Sequence, residues 1–150
     1  WAPDGKYLAS AGDDRFLRLW VALHGAKLAD MSAHTRTVTG VAFLPGDGRF
    51  VTVGLDGPLK LWDGPRSRNI RKQHVDAGGL HAVAATSDGA AVATVGADRV
   101  IRVWELERWS VLQELRGSPA DVAALAFRAD GRALAAAGTD GNARVWPIGR

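Results

Sequence analysis

The 150 residues include no cysteine, which excludes disulfides, thiolate metal sites and cysteine nucleophiles without revealing the compartment. No apolar run approaches the roughly 18–20 residues of a membrane span. Nothing after Trp1 has the pattern of a secretory leader, so the cytoplasm is the expected compartment. No stretch keeps a helical apolar period long enough to need a helix. Charge of one sign is also in short supply. The net charge of +3 permits an acidic partner but demands none. The first residue is Trp rather than Met, and the expectation is a piece of a longer polypeptide. With 47% apolar and 23% charged residues, the composition is that of a folded domain rather than a disordered tail.

Glycine is plentiful, at 18 residues, and marks turns. The tryptophans mark a period. Trp20, Trp62, Trp104 and Trp146 follow one another at a step of 42 residues. Gly12, Gly54, Gly96 and Gly138 keep the same step, as do Asp14, Asp56, Asp98 and Asp140. Three coincident columns establish a repeat. Within each period, β-prone runs such as Val51–Val53, Leu59–Trp62 and Val92–Val95 alternate with turn formers at Asp4-Gly5, Asp47-Gly48, Asp88-Gly89 and Asp130-Gly131. Short antiparallel strands at a period of about 40–45 residues describe a propeller blade.

The segments Trp1–Trp20 and His34–Asp63, with their ordered His, Asp-Gly, Ser/Thr, Gly, Asp and Trp positions, resemble WD40 repeats. The resemblance implies an all-β fold, a β-propeller fragment of about three and a half four-stranded blades in a partial ring. The expected repeats are 1–20 (partial), 21–62, 63–104 and 105–146, with a tail at 147–150. It also implies strands a to d from the axis outward, with the repeated Trp ending strand c. Strand a then includes Val41–Phe43, Val83–Ala85 and Leu125–Phe127, and Trp1 falls at the end of a strand a. Strand a of the first blade and strand d of the last are missing. Because an unclosed stack leaves edges and apolar faces in water, the ring is expected to be completed by upstream blades or by a second copy. The family's usual latching of its ring favours upstream blades.

His34, Thr52 and Asp56 together invite a hydrolase reading, since base, nucleophile and orienter are the parts of a triad. The resemblance implies a structural role instead: a hydrogen-bonded tetrad of His34, Thr52, Asp56 and Trp62. A buried indole N–H needs a partner, and a buried network holds only when satisfied. The first repeat keeps Ser10, Asp14 and Trp20, whereas the third keeps Thr94, Asp98 and Trp104 with Asp76 in the His column. There His74 could substitute only if the loop shifts. The fourth has Ser118 and Ala136 in the His and Thr columns, so Trp146 lacks its partner and a looser blade is expected.

His24, His74 and His81 show no metal-ligand spacing. Gly78-Gly79 lacks the Lys and helix of a phosphate loop and reads as a flexible lead into strand a. The basic run Lys60, Arg66, Arg68, Arg71 and Lys72 has no interleaved aromatic residues. It reads as the charged protection of an outermost strand over Arg68–His74 rather than a nucleic-acid patch.

For function, the resemblance implies a binding face at the channel mouth, formed by the d–a and b–c loops. Translated by column, its candidates are Asp13, Thr37, Thr39, Leu55, His81, Asp121 and Thr139, with Gly79, Ala97 and Ala123 beside them. Leu55 stands out as an aliphatic where its column mates are small or polar. The expectation is a non-catalytic scaffold binding a protein or peptide partner, with no cofactor, no metal and no membrane, and with nucleic acid disfavoured. The alternative is the regulatory or targeting half of a larger enzyme whose catalytic domain lies upstream. A propeller active site is the weaker competitor, because only His81 and Asp121 could supply acid–base groups.

Overall fold

A computed structural model describes residues 1–46, 48–75, 78–118 and 120–149. Among them are fourteen strands and no helix, arranged in four antiparallel meanders. Blade 1 contains β1 (Tyr7–Ala11), β2 (Phe16–Val21) and β3 (Lys27–Ser32). Blade 2 contains β4 (Val38–Phe43), β5 (Arg49–Gly54), β6 (Pro58–Asp63) and β7 (Arg68–His74). Blade 3 contains β8 (Leu80–Ala85), β9 (Ala91–Gly96), β10 (Ile101–Glu105) and β11 (Ser110–Leu115). Blade 4 contains β12 (Val122–Phe127), β13 (Ala133–Gly138) and β14 (Ala143–Pro147). Blade 1 therefore lacks the innermost strand and blade 4 the outermost. Trp1 belongs to no strand and is 72% exposed.

The repeat is written into the turns. The first hairpin of each blade closes with one backbone bond: Ala2 N–H to Tyr7 O, Leu44 to Arg49, Thr86 to Ala91, and Arg128 to Ala133, at 2.8–3.0 Å. The carboxylates of Asp4, Asp88 and Asp130 each accept the backbone N–H two residues on, at 3.0 Å, and so fold the turn from within. Asp47, their counterpart, lies outside the described residues.

Burial follows from stacking. In β5 every residue but Arg49 is buried, and all of β9 is buried, because the sheets of blades 2 and 3 are covered on both faces. Phe50 and Trp62 pack toward blade 1 with Leu17, Leu19 and Met31. Val51, Val53, Leu59 and Leu61 pack toward blade 3 with Leu80, Val92 and Trp104. A third core joins blades 3 and 4 through Val95, Ile101, Val103 and Leu134. By contrast, β7 is an edge strand, exposed except for a half-buried Gln73. Arg and Lys suit that edge, since charge discourages further strand pairing.

Two local features were not expected from the sequence. Gly79 has φ +90°, and a Cβ there would lie 2.8 Å from the Leu55 carbonyl oxygen. It is a point of close approach between blades 2 and 3 rather than a flexible lead-in. Trp109 takes φ +61° at the turn position that Gly25 and Ser67 occupy in the preceding repeats. Its indole is buried in the core between blades 2 and 3, and the Arg71 guanidinium lies over it at 5.6 Å. Burial of a large aromatic surface offsets the cost of that backbone conformation.

Candidate functional site

Four parts of blade 2 converge on one network. His34 comes from the loop between β3 and β4, Thr52 from β5, Asp56 from the β5–β6 turn and Trp62 from β6. The Trp62 indole N–H donates to Thr52 Oγ1 at 2.9 Å. Thr52 Oγ1 lies 2.8 Å from His34 Nε2, and His34 Nδ1 lies 2.6 Å from Asp56 Oδ1. The second carboxylate oxygen of Asp56 accepts from the Thr35 backbone N–H at 2.8 Å and the Thr35 hydroxyl at 3.1 Å. One proton arrangement satisfies the whole chain: indole to hydroxyl, hydroxyl to Nε2, and Nδ1–H to carboxylate. It requires neutral His34. A protonated ring would place a second donor against a hydroxyl that already accepts from Trp62.

The electrostatics agree. Burial pushes the His34 ring below its ordinary proton affinity, outweighing the nearby Asp56 carboxylate. For Asp56, burial acts upward, but the Thr35 backbone N–H and the His34 ring outweigh it, leaving the carboxyl below its usual range. Both groups therefore release protons more readily folded than unfolded, and their stabilisation is complete above the unfolded His value of 6.5. It is lost as pH falls through the folded values. The expected result is a flat melting temperature between pH 7 and 8 and a decline beginning below about pH 6. A melting temperature unchanged from pH 7 to pH 5 would contradict neutral, buried His34.

This geometry bears on the triad reading as well. Thr52 is 0% exposed and its hydroxyl is engaged by both the indole and the imidazole. A substrate carbonyl has no approach to it.

The other blades use the same columns differently. Trp20 donates to Ser10 Oγ and Trp104 to Thr94 Oγ1, each at 2.9 Å. Their column aspartates pair with arginine rather than histidine: Asp14 with Arg18 at 2.6 Å, Asp98 with Arg102 at 2.7 Å, and Asp140 with Arg144 at 2.7 Å. The Arg18 side chain holds the Asp14 carboxyl below its usual range, and Arg144 does the same to Asp140. These arginines were missed in the sequence although they too recur at the 42-residue step, with Lys60 as the blade 2 member. An Asp in a turn and an Arg four residues on share one face of the following strand.

His74 ends β7 opposite Pro58 and is exposed, while Asp76 lies outside the described residues. Ser118 donates to the Ala120 carbonyl at 2.7 Å. Among the described residues no hydrogen bond reaches the Trp146 indole, and blade 4 is more exposed than blades 2 and 3. Among the described residues blade 4 packs against a neighbouring blade on one face only.

The channel-mouth candidates sit at one end of the blades. Leu55 N–H donates to the Thr37 carbonyl at 3.0 Å, and Thr139 N–H to the Asp121 carbonyl at 2.8 Å. Arg99 and Asp121 form a 2.8 Å ion pair linking blades 3 and 4. Leu55 is half-buried, its backbone lies beneath Gly79, and its carbonyl accepts from Arg36 at 3.3 Å. Thr39 and His81 share a feature invisible in the sequence. The ladder between the first and second strands skips Thr39 between Val38 and Gly40, His81 between Leu80 and Ala82, and Ala123 between Val122 and Ala124. Each is the extra residue of a β-bulge. The Thr39 hydroxyl is partly committed, donating to the Leu80 carbonyl at 2.6 Å. Asp13 is exposed in the β1–β2 turn, and among the described residues no side-chain hydrogen bond ties it to the other candidates.

Among the described residues no three His, Asp or Glu side chains form a metal-sized group, and no helix is long and apolar enough to cross a membrane.

Four side-by-side antiparallel meanders, each with a Trp near the end of one strand (β2, β6, β10 and β14) that is bonded inward where a hydroxyl is available, define a segment of a β-propeller. The chain belongs to the WD40 family: the WD domain, G-beta repeat, matches residues 1–21, 25–63, 67–105 and 109–147. It is similar to periodic tryptophan protein 2 of Arabidopsis thaliana, 27% identical over 88 residues that cover 59% of this chain and 10% of that protein. It is also similar to protein HIR1 of Kluyveromyces lactis, 28% identical over 99 residues covering 55% of this chain and 12% of that protein. A third relative is transcription initiation factor TFIID subunit 5 of Caenorhabditis elegans, 27% identical over 77 residues, 51% of this chain and 12% of that protein. The matches thus span about a tenth of the length of these relatives.

Proposed function

We propose that this chain is part of a non-catalytic protein-interaction scaffold that binds a peptide or partner domain at the channel mouth. The observation that carries the reading is the bulge repeated in three blades, which lifts Thr39, His81 and Ala123 out of the ladder at the same end. Bulges re-aim side chains at rims and sites, and here they stand beside loops free to vary. Membership of the WD40 family and similarity to a protein named as a subunit of an assembly support the same reading. In this proposal Asp13, Thr37, Thr39, Leu55, His81, Asp121 and Thr139 contribute to the binding face, and His34, Thr52, Asp56 and Trp62 hold blade 2 in shape. Upstream blades or a second copy complete the ring.

The test is substitution on the face. Leu55→Glu combined with Thr37→Glu is expected to weaken capture of a partner by more than tenfold while the melting temperature stays close to wild type. Capture unchanged by this pair would overturn the choice of face. Turnover of any substrate that disappeared in His81→Ala would overturn the non-catalytic reading.

A further inference from the structure

The ion pairs of the four blades follow one scheme, and blade 2 departs from it. In blade 1, Arg18 bridges Asp14 of the turn, at 2.6 Å, and Asp30 of the neighbouring outer strand, at 3.2 Å. In blade 3, Arg102 bridges Asp98 at 2.7 Å and Glu114 at 3.3 Å. The strand register places these residues directly opposite one another, Arg18 against Asp30 and Arg102 against Glu114. In blade 2 the corresponding cross-strand pair is Lys60 against Lys72. The acid of the outer strand has become a second base.

The turn aspartate does not make up the difference, for Asp56 is engaged through Oδ1 by His34 and through Oδ2 by Thr35. Lys60 donates to the Ala33 carbonyl at the border of blades 1 and 2 and lies over the Trp62 ring at 6.0 Å, and its remaining N–H groups have no hydrogen-bond acceptor among the described residues. Among the described residues neither Lys60 nor Lys72 forms an ion pair. Like charges directly opposite on a sheet destabilise it. Burial lowers the proton affinity of Lys60, Asp56 opposes this, and Lys72 lowers it further. The seat that a carboxylate fills in blades 1 and 3 is lined in blade 2 by two ammonium groups.

We propose that Lys60 and Lys72 form a docking seat for an acidic segment of a protein partner, one of whose carboxylates takes the place held by Asp30 and Glu114 in the neighbouring blades. The seat lies on the outer part of the border between blades 1 and 2, where Lys60 meets Ala33 of the loop that precedes β4. It takes a carboxylate because the same position in this fold already holds one within 3.2–3.3 Å of the central cation. Charge-assisted bonds to two lysines give such an interaction a steep salt dependence.

The probe is a fluorescein-labelled octaglutamate peptide, titrated into the full chain at low salt. Lys72→Glu rebuilds the blade 1 and blade 3 arrangement, so the chain's own carboxylate fills the seat. Its expected results are a loss of peptide affinity of at least tenfold together with a melting temperature raised by about 2–4 °C. Lys60→Met, which keeps the apolar stem, is expected to weaken the peptide by a similar factor. Lys6→Glu makes the same charge change on an exposed residue of blade 1 and is expected to leave affinity within twofold. Peptide affinity unchanged in Lys72→Glu would overturn the proposal, as would an equal loss in Lys6→Glu, which would reduce the effect to net charge. Tighter, Lys72-dependent binding of duplex DNA than of octaglutamate would assign the seat to nucleic acid and overturn it too.

Discussion

Phe50→Ala is expected to lower the unfolding free energy by about 3–5 kcal/mol. Phe50 lies in β5, is 0% exposed, and packs in the space between blades 1 and 2. Its ring meets Phe43 edge-on at 5.3 Å between centroids and stacks on Trp62 at 6.3 Å. Truncation removes both aromatic contacts and leaves a cavity bounded by Leu17 and Leu19, which are held by their own strands and cannot collapse into it. Because each blade contacts only its neighbours, the loss should fall on the docking of blade 1. Hydrogen exchange is the discriminating measurement. Amides of β1 to β3 should lose protection before those of β8 to β11. Uniform loss across all blades, or a change below about 1 kcal/mol, would show that this interface is not what holds blade 1.

His34→Ala is expected to cost about 2–4 kcal/mol, since it leaves two polar groups unsatisfied at about 1–3 kcal/mol each, a different reason from that at Phe50. The ring is the middle of a chain of bonds. Its removal leaves the fully buried Thr52 hydroxyl without an acceptor and Oδ1 of the half-buried Asp56 without its donor. The double-mutant cycle with Asp56→Ala separates this from simple packing. If the two act through one network, the double variant should be less destabilised than the sum of the singles by about 1–3 kcal/mol. Additive losses would mean that the 2.6 Å approach of His34 to Asp56 contributes nothing specific.

Much of the architecture was legible before any coordinates. The step of 42 residues between Trp20, Trp62, Trp104 and Trp146 implied blades. The Asp-Gly pairs at residues 4, 88 and 130 marked the first hairpins of blades 1, 3 and 4, and the run Arg68–His74 read as an edge strand, where β7 lies. These features are local. A turn or a strand announces itself in a few adjacent residues, and a repeat multiplies the signal.

What was not legible depends on residues distant in the chain. The bulges at Thr39, His81 and Ala123 arise from register between strands, and no neighbouring residue declares them. The placement of Trp109 at φ +61° makes sense only with the core between blades 2 and 3 beneath it. Gly79 reads as a flexible residue until the Leu55 backbone is set against it.

The sequence by itself determined the period and the all-β character, because alternation, turn chemistry and the recurring Trp act over a few residues, and the strand order was what the resemblance to WD40 repeats implied. Tertiary structure alone decided which base the turn aspartates of the blades other than blade 2 meet. Asp56 turns to His34 while Asp14, Asp98 and Asp140 turn to arginine. A carboxylate's partner is chosen by what the fold brings within about 3 Å of it and by how deeply it is buried there, and both come into being only when strands pair and blades stack.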